Sequence, residues 1–159
     1  MTKRKLLPRA VLALVLLVVV PAAADAPQDQ YARFDGDSAT IVDTFTKLEW
    51  DRKGVFKTTQ DLAAFNCGQL ASLQMSGRLP TVKELLTILD EEPHQEYEFG
   101  KVVPKMIDAL AFPDTPVDAS YWSSTQVPGT TDTFWTVSFA TGLMTAQAKT
   151  AQGNARCVR

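Results

Sequence analysis

Ser76-Gly77-Arg78-Leu79-Pro80-Thr81-Val82-Lys83-Glu84-Leu85-Leu86 packs a turn, a helix start and an apolar face into one short stretch. Thr81 followed three residues later by Glu84 has the spacing of a capping box. In that motif the threonine hydroxyl accepts an orphan helix N–H and the glutamate reaches back to the cap's own N–H. Pro80 holds Leu79 out of the helical region, so the chain should arrive extended and turn helical at one defined residue. Val82, Leu85, Leu86 and Leu89 then recur as a single buried stripe. Asp90-Glu91-Glu92-Pro93 should end this helix.

Working outward from that stretch, the chain opens with Lys3, Arg4, Lys5 and Arg9 and no acid, followed by an unbroken apolar run over residues 10–20. That is the pattern of a secretory signal peptide, and the run is too short to span a bilayer. Small residues after Pro21 place the preferred cut after Ala24, since a cut after Ala26 would leave Pro27 just past the scissile bond. No cysteine stands directly after the run, so no lipid anchor is expected at the mature N-terminus. Removal of residues 1–24 takes four of the 16 basic residues and none of the 18 acids, leaving a net charge of −6. An acidic chain with singly scattered cations repels nucleic acid and anionic membranes. What remains is about 135 residues, one domain by size and long enough for a real core.

Cys67 and Cys157 are the two cysteines. In an exported chain an even count points to a disulfide, the alternative being two free buried thiols. Such a bridge closes a long loop and is worth roughly 4 to 5 kcal/mol at most in the chain-entropy model. The terminal strand, held by only a few ladder bonds, should be the first part to loosen without it.

Residues 25–30 read as a flexible lead, with the folded domain spanning 31–159 and order beginning near Tyr31 or Phe34. Alternation of Ile41, Asp43 and Phe45 against Val42, Thr44 and Thr46, then a turn at Thr46-Lys47 into Leu48-Glu49-Trp50, predicts a hairpin. Residues 58–75 read as a helix that starts at Thr58 with Asp61 and buries Ala63, Cys67, Leu70 and Ala71. Residues 93–120 hold Pro93, Pro104, Pro113 and Pro116 and show no sustained period. They are expected to be irregular, with one short helix around 103–110. Strands return at residues 121–125 and 134–139, where Trp135, Val137 and Phe139 share a face. A turn at Thr141-Gly142, a return strand over 143–148, a polar loop including Gly153-Asn154 and a last strand over 155–159 complete the chain. The fold class is therefore α+β: two helices on a small antiparallel sheet with long irregular loops.

The chain resembles the C-terminal domain family of bacterial collagen-like adhesins, the Lcl C-terminal domain, which is related to the C-type lectin-like superfamily. The resemblance rests on Val42-Asp43-Thr44 with Thr46, Leu48 and Trp50, on Arg78-Leu79-Pro80-Thr81 with Glu84-Leu85, and on Tyr121-Trp122-Ser123-Ser124-Thr125. Trp135, Val137, Phe139, Gly142 and the terminal Arg156-Cys157-Val158-Arg159 continue it. Where the family usually places a tryptophan before Arg78, this chain has Gly77. The resemblance implies a C-type lectin-like fold, a disulfide joining the first helix to the last strand, and a non-catalytic binding role outside the cytoplasm, periplasmic or extracellular. Trp50, Arg78, Pro80, Thr81, Glu84, Trp122 and Trp135 are expected to be structural. The Glu-Pro-Asn, Gln-Pro-Asp and Trp-Asn-Asp triplets of calcium-dependent lectins do not occur, so that mode of sugar binding does not carry over.

For chemistry, His94 is the only histidine and has no partnered nucleophile in sequence. Asp90, Glu91, Glu92, Glu96 and Glu98 could offer oxygens to calcium but lack the spacing of a known loop, so a solvated face is the default and no cofactor is assigned. The expected partner is a glycan or a protein surface, met through residues 93–132, with His94, Tyr97, Asp114, Asp118, Tyr121 and Asp132 as candidate contacts. Two rival readings stand beside it. One is a secreted hydrolase using two carboxylates among Glu96, Glu98, Asp114 and Asp118. The other is a periplasmic subunit that depends on a partner.

Overall fold

The computed structural model describes residues 27, 29–32, 38–91, 93–98 and 100–159. The expected signal peptide, Phe34 and Glu92 lie outside the described residues. No helix among the described residues is long and apolar enough to cross a membrane.

The predicted first hairpin forms from β1 (Thr40–Val42) and β2 (Glu49–Asp51), with Ile41 opposite Trp50. Its strands are short because Asp43 stops the ladder: one carboxylate oxygen, Oδ1, accepts the N–H of Phe45 and of Thr46, and Lys47 closes the turn at φ 64°. Gln30, at the end of the expected flexible lead, is buried and donates to the Thr87 carbonyl, so the chain is already tied to the body there.

Next come β3 (Val55–Thr58) and α1 (Gln60–Gly68). The helix expected over residues 58–75 is shorter than its sequence pattern suggests. Thr58 instead ends a strand, and Thr59 occupies the cap without a side-chain bond. The helix stops at Gly68, after which a single 3-10 turn, Ala71–Leu73, and two left-handed residues, Gln74 and Met75, redirect the chain. Ala63 and Cys67 are buried as expected, whereas Ala71 is exposed because it belongs to that separate turn.

The capping box at Thr81 is complete, with the Thr81 hydroxyl accepting from Glu84 N and Glu84 Oε2 accepting from Thr81 N. The helix it starts, α2 (Val82–Leu86), is only five residues long. Beyond it the backbone tightens into three-residue turns, Thr87 N to Glu84 O and Ile88 N to Leu85 O. Three residues per turn aligns Val82, Leu85 and Ile88 on one inward line. Ile88 is therefore buried, while Leu86, expected in the stripe, is 37 % exposed.

Residues 94–105 form a hairpin, β4 (His94–Glu98) and β5 (Lys101–Lys105), in place of the expected irregular segment and short helix. Pro104 hid the strand, yet a two-stranded ribbon tolerates proline because one side of each strand needs no donor. After it the chain bends at Asp108, whose carboxylate accepts the N–H of Leu110 and Ala111. Then β6 (Tyr121–Gln126), β7 (Thr133–Val137), β8 (Met144–Ala148) and β9 (Gly153–Ala155) complete the elements.

The main sheet runs β3-β9-β6-β7-β8, antiparallel except where β9 lies parallel to β6. Gly153 and Asn154, expected in a loop, are thus in the middle of the sheet. Gly153 is required there, since a Cβ would fall 2.8 Å from Trp122 Nε1 and 3.0 Å from the Ser120 carbonyl.

Strand alternation sends neighbours to opposite faces. Trp122, Ala155 and Cys157 join Ala63, Cys67 and Leu73 under α1. Tyr121, Val137, Phe139 and Val158 join Trp50, Phe112, Val82, Leu85 and Ile88 on the α2 side. Trp50 and Trp122 are fully buried, and Trp135 packs half-buried against the second cluster. Cys67 and Cys157 are bonded across 90 residues of sequence, with Cα atoms 5.3 Å apart. The tail beyond β9 is no loose end, because Val158 exchanges backbone bonds with Arg78 and Arg159 does so with Glu49.

Candidate functional site

The β4–β5 hairpin is the feature whose residues run against the usual pattern of a folded surface. Its register sets His94 opposite Lys105, Glu96 opposite Val103, Gln95 opposite Pro104 and Tyr97 opposite Val102. A period of two therefore gives one face bearing His94, Glu96 and Lys105 and another bearing Gln95, Tyr97, Val102 and Pro104. The charged face is the one turned in: Lys105 is 3 % exposed. The uncharged face is the one turned out, with Tyr97 76 % and Val102 61 % exposed.

Polar contacts lock the base. Lys105 Nζ lies 2.6 Å from Glu96 Oε2, His94 Nε2 lies 3.2 Å from Glu96 Oε1, and His94 Nδ1 lies 3.9 Å from Asp90 Oδ2. Burial pushes the Glu96 carboxyl up, but the bonds from Lys105 and His94 outweigh it and hold the group below its ordinary range. Backbone bonds from Asp90 N to Met106 O and from Met106 N to Phe139 O carry the base into the main sheet. Tyr97 and Val102 are thus held out by a fixed foot.

The other candidate contacts do not gather around this face. His94 and Tyr97 share the hairpin but lie on opposite sides of it. Asp118 is on the β5–β6 connection, bonded to Lys57 Nζ at 2.6 Å and to Asn154 Nδ2 at 3.4 Å. The Lys57 bond lowers its pKa despite the opposing effect of burial. Asp114 is exposed in the same connection at φ 56°, and Asp132 is exposed in the β6–β7 turn, where its Oδ1 accepts from Thr133. Tyr121 is corrected outright: it is 1 % exposed, its hydroxyl donates to the Pro116 carbonyl, and its ring packs 4.6 Å from Phe139. A surface ligand does not reach it. Glu96 and Asp118, two of the four acids offered for hydrolysis, are each bonded to a lysine. Among the described residues no group of three or more His, Cys, Asp or Glu side chains is placed to hold a metal ion.

Arg156 went unassigned at the sequence level beyond its place in the terminal motif. It is fully buried and donates through Nη1 to the Asp51 and Arg52 carbonyls at 2.7 Å and through Nη2 to Thr115 Oγ1 at 2.8 Å. Its guanidinium carbon sits 4.7 Å above the Phe112 ring. Burial pushes its pKa down, and Tyr121 and Asp51 act in the opposite sense. Arg156 thereby joins the first hairpin, the 108–120 connection and β9, which fixes the ground on which the surface loops stand. Only a charged residue three positions past Gly153 hinted at this.

Comparison with curated proteins finds no match. The family model for the Lcl C-terminal domain matches residues 39–159, a span that runs from β1 to the last residue and includes both helices, the hairpin, the bridge and Arg156. This chain belongs to the Lcl C-terminal domain family.

Proposed function

We propose that this is an exported, non-catalytic recognition domain of the adhesin-associated kind, which binds a glycan or a protein surface through the outward face of the β4–β5 hairpin. The observation that carries the reading is the inverted hairpin: Lys105 buried at its foot against Glu96, Tyr97 and Val102 presented to solvent. Exposed aromatic and aliphatic side chains on a rigid mount gain contact area at small entropic cost, which is the usual economy of a binding surface. The architecture is in keeping with a C-type lectin-like variant, having a disulfide from the first helix to the C-terminal segment and terminal segments paired side by side. Export is supported by the basic and apolar N-terminal pattern together with the bridge.

The test compares wild type with a Tyr97→Ser, Val102→Ser variant on glycan arrays and in pull-downs from exported proteins. Binding should fall at least about tenfold, or about 1.4 kcal/mol, with an unchanged melting temperature. Ligands bound equally well by both proteins would move the site elsewhere, and no ligand in either assay would reject the recognition role.

A further inference from the structure

We infer that the edge of β8, unpaired among the described residues, is a self-pairing strand through which two copies of this chain join in antiparallel register, extending the main sheet across a two-fold axis. The backbone bonds flanking the strand, Ser138 N to Leu143 O and Lys149 N to Asp132 O, fix which residues face β7. With the unbroken register Val137–Met144 to Thr133–Ala148, residues 143, 145, 147 and 149 direct their main-chain groups inward to β7. Met144 and Ala146 consequently aim both N–H and C=O at the open edge. The Ala148 carbonyl is taken by Ala151 N, while its N–H also points out.

Among the described residues nothing on this edge opposes pairing. Residues 143–148 contain no charge, no proline and no bulge, and Met144, Thr145, Ala146 and Ala148 are all exposed. The opposite edge, β3, shows the protections that β8 lacks: a register break between Val55 and Thr58, and Lys57 held in an ion pair with Asp118.

A second copy fits β8 for two reasons. The chain carries net negative charge, so a like-charged molecule meets least repulsion at a neutral strip. An isologous antiparallel pair centred on Ala146 is also self-complementary, with Ala146 bonding its own equivalent and Met144 meeting Ala148 of the second copy. Small side chains at the centre let the strands close, and Leu143, 63 % exposed, adds apolar area at each end.

Sedimentation velocity of the full chain as exported should give twice the monomer mass at about 100 μM, shifting to monomer on dilution. Ala146→Pro removes an outward N–H that the β7 ladder does not use, so it should give a monomer with the disulfide intact. Since the axis sets residue 146 against itself, Ala146→Lys and Ala146→Glu should each be monomeric and their equimolar mixture dimeric. A wild type that stays monomeric at that concentration, a proline variant that still dimerises, or a mixture that does not recombine would each overturn the inference.

Discussion

Gly77 shows how a single missing side chain sets a packing distance. A Cβ there would lie 2.6 Å from the Cys67 carbonyl oxygen and 2.8 Å from Leu73 Cδ1, so the chain passes directly against the end of α1. Any side chain would find no room on this backbone path. Gly77→Ala should cost about 1 to 3 kcal/mol by overpacking, read from urea unfolding. Arg156 is the opposite case, a large charged group that the core is built around. Arg156→Met keeps the bulk but leaves the Asp51 and Arg52 carbonyls and the Thr115 hydroxyl without their donor. A loss on the order of 3 kcal/mol is expected in the same measurement.

At the scale of elements, α2 is too short to stand alone and relies on its first turn. Arg78 grips Glu84 with two bonds, Nη1 to Oε2 at 2.8 Å and Nη2 to Oε1 at 2.7 Å, and this is the chief reason the Glu84 carboxyl sits below its ordinary 4.5. A group that ionises more easily folded than unfolded stabilises the fold fully above its unfolded value. That contribution disappears as pH falls through the folded value. Wild type should therefore lose more stability than Glu84→Gln between about pH 5 and pH 3. At neutral pH the variant should be weaker by no more than about 1 kcal/mol, because Arg78 is half exposed and solvent screens the pair. The β4–β5 hairpin depends in the same local way on its foot. Lys105→Met should speed amide exchange across residues 94–105 by about tenfold while the melting temperature of the whole domain barely moves.

For the whole molecule, the bridge between Cys67 and Cys157 matters through its setting. Residues 153–158 are all buried, and β9 is flanked by β3 and β6. Loss of the bridge in the Cys67→Ser, Cys157→Ser variant should cost up to roughly 4 to 5 kcal/mol. It should not fray the tail first, as the sequence alone suggests: exchange at residues 153–158 should track that of β6. Non-reducing digestion and mass spectrometry check the bridge itself, and two alkylatable thiols would contradict it.

Local signals were legible in the sequence where one stretch of chain settles its own conformation. The Thr81–Glu84 capping box, the first hairpin with its turn at Thr46-Lys47, the hairpin turn at Gly142 and the runs behind β6, β7 and β8 all follow from nearby residue types. The pairing of Cys67 with Cys157 followed from their number and the family resemblance. Tertiary contacts decided the rest. Gly153-Asn154 reads as a loop because glycine and asparagine favour turns, yet Trp122 and the flanking strands require a residue without a side chain at the centre of the sheet. Tyr121 reads as a surface contact until both sides of β6 are covered. The β4–β5 hairpin hid behind Pro104 and its charges, since which face points outward depends on a foot in which Asp90 and Lys105 are buried and His94 and Glu96 are half-buried. The role of Arg156 depends on carbonyls more than a hundred residues earlier in the chain, and no local pattern of residues encodes a contact made at that separation.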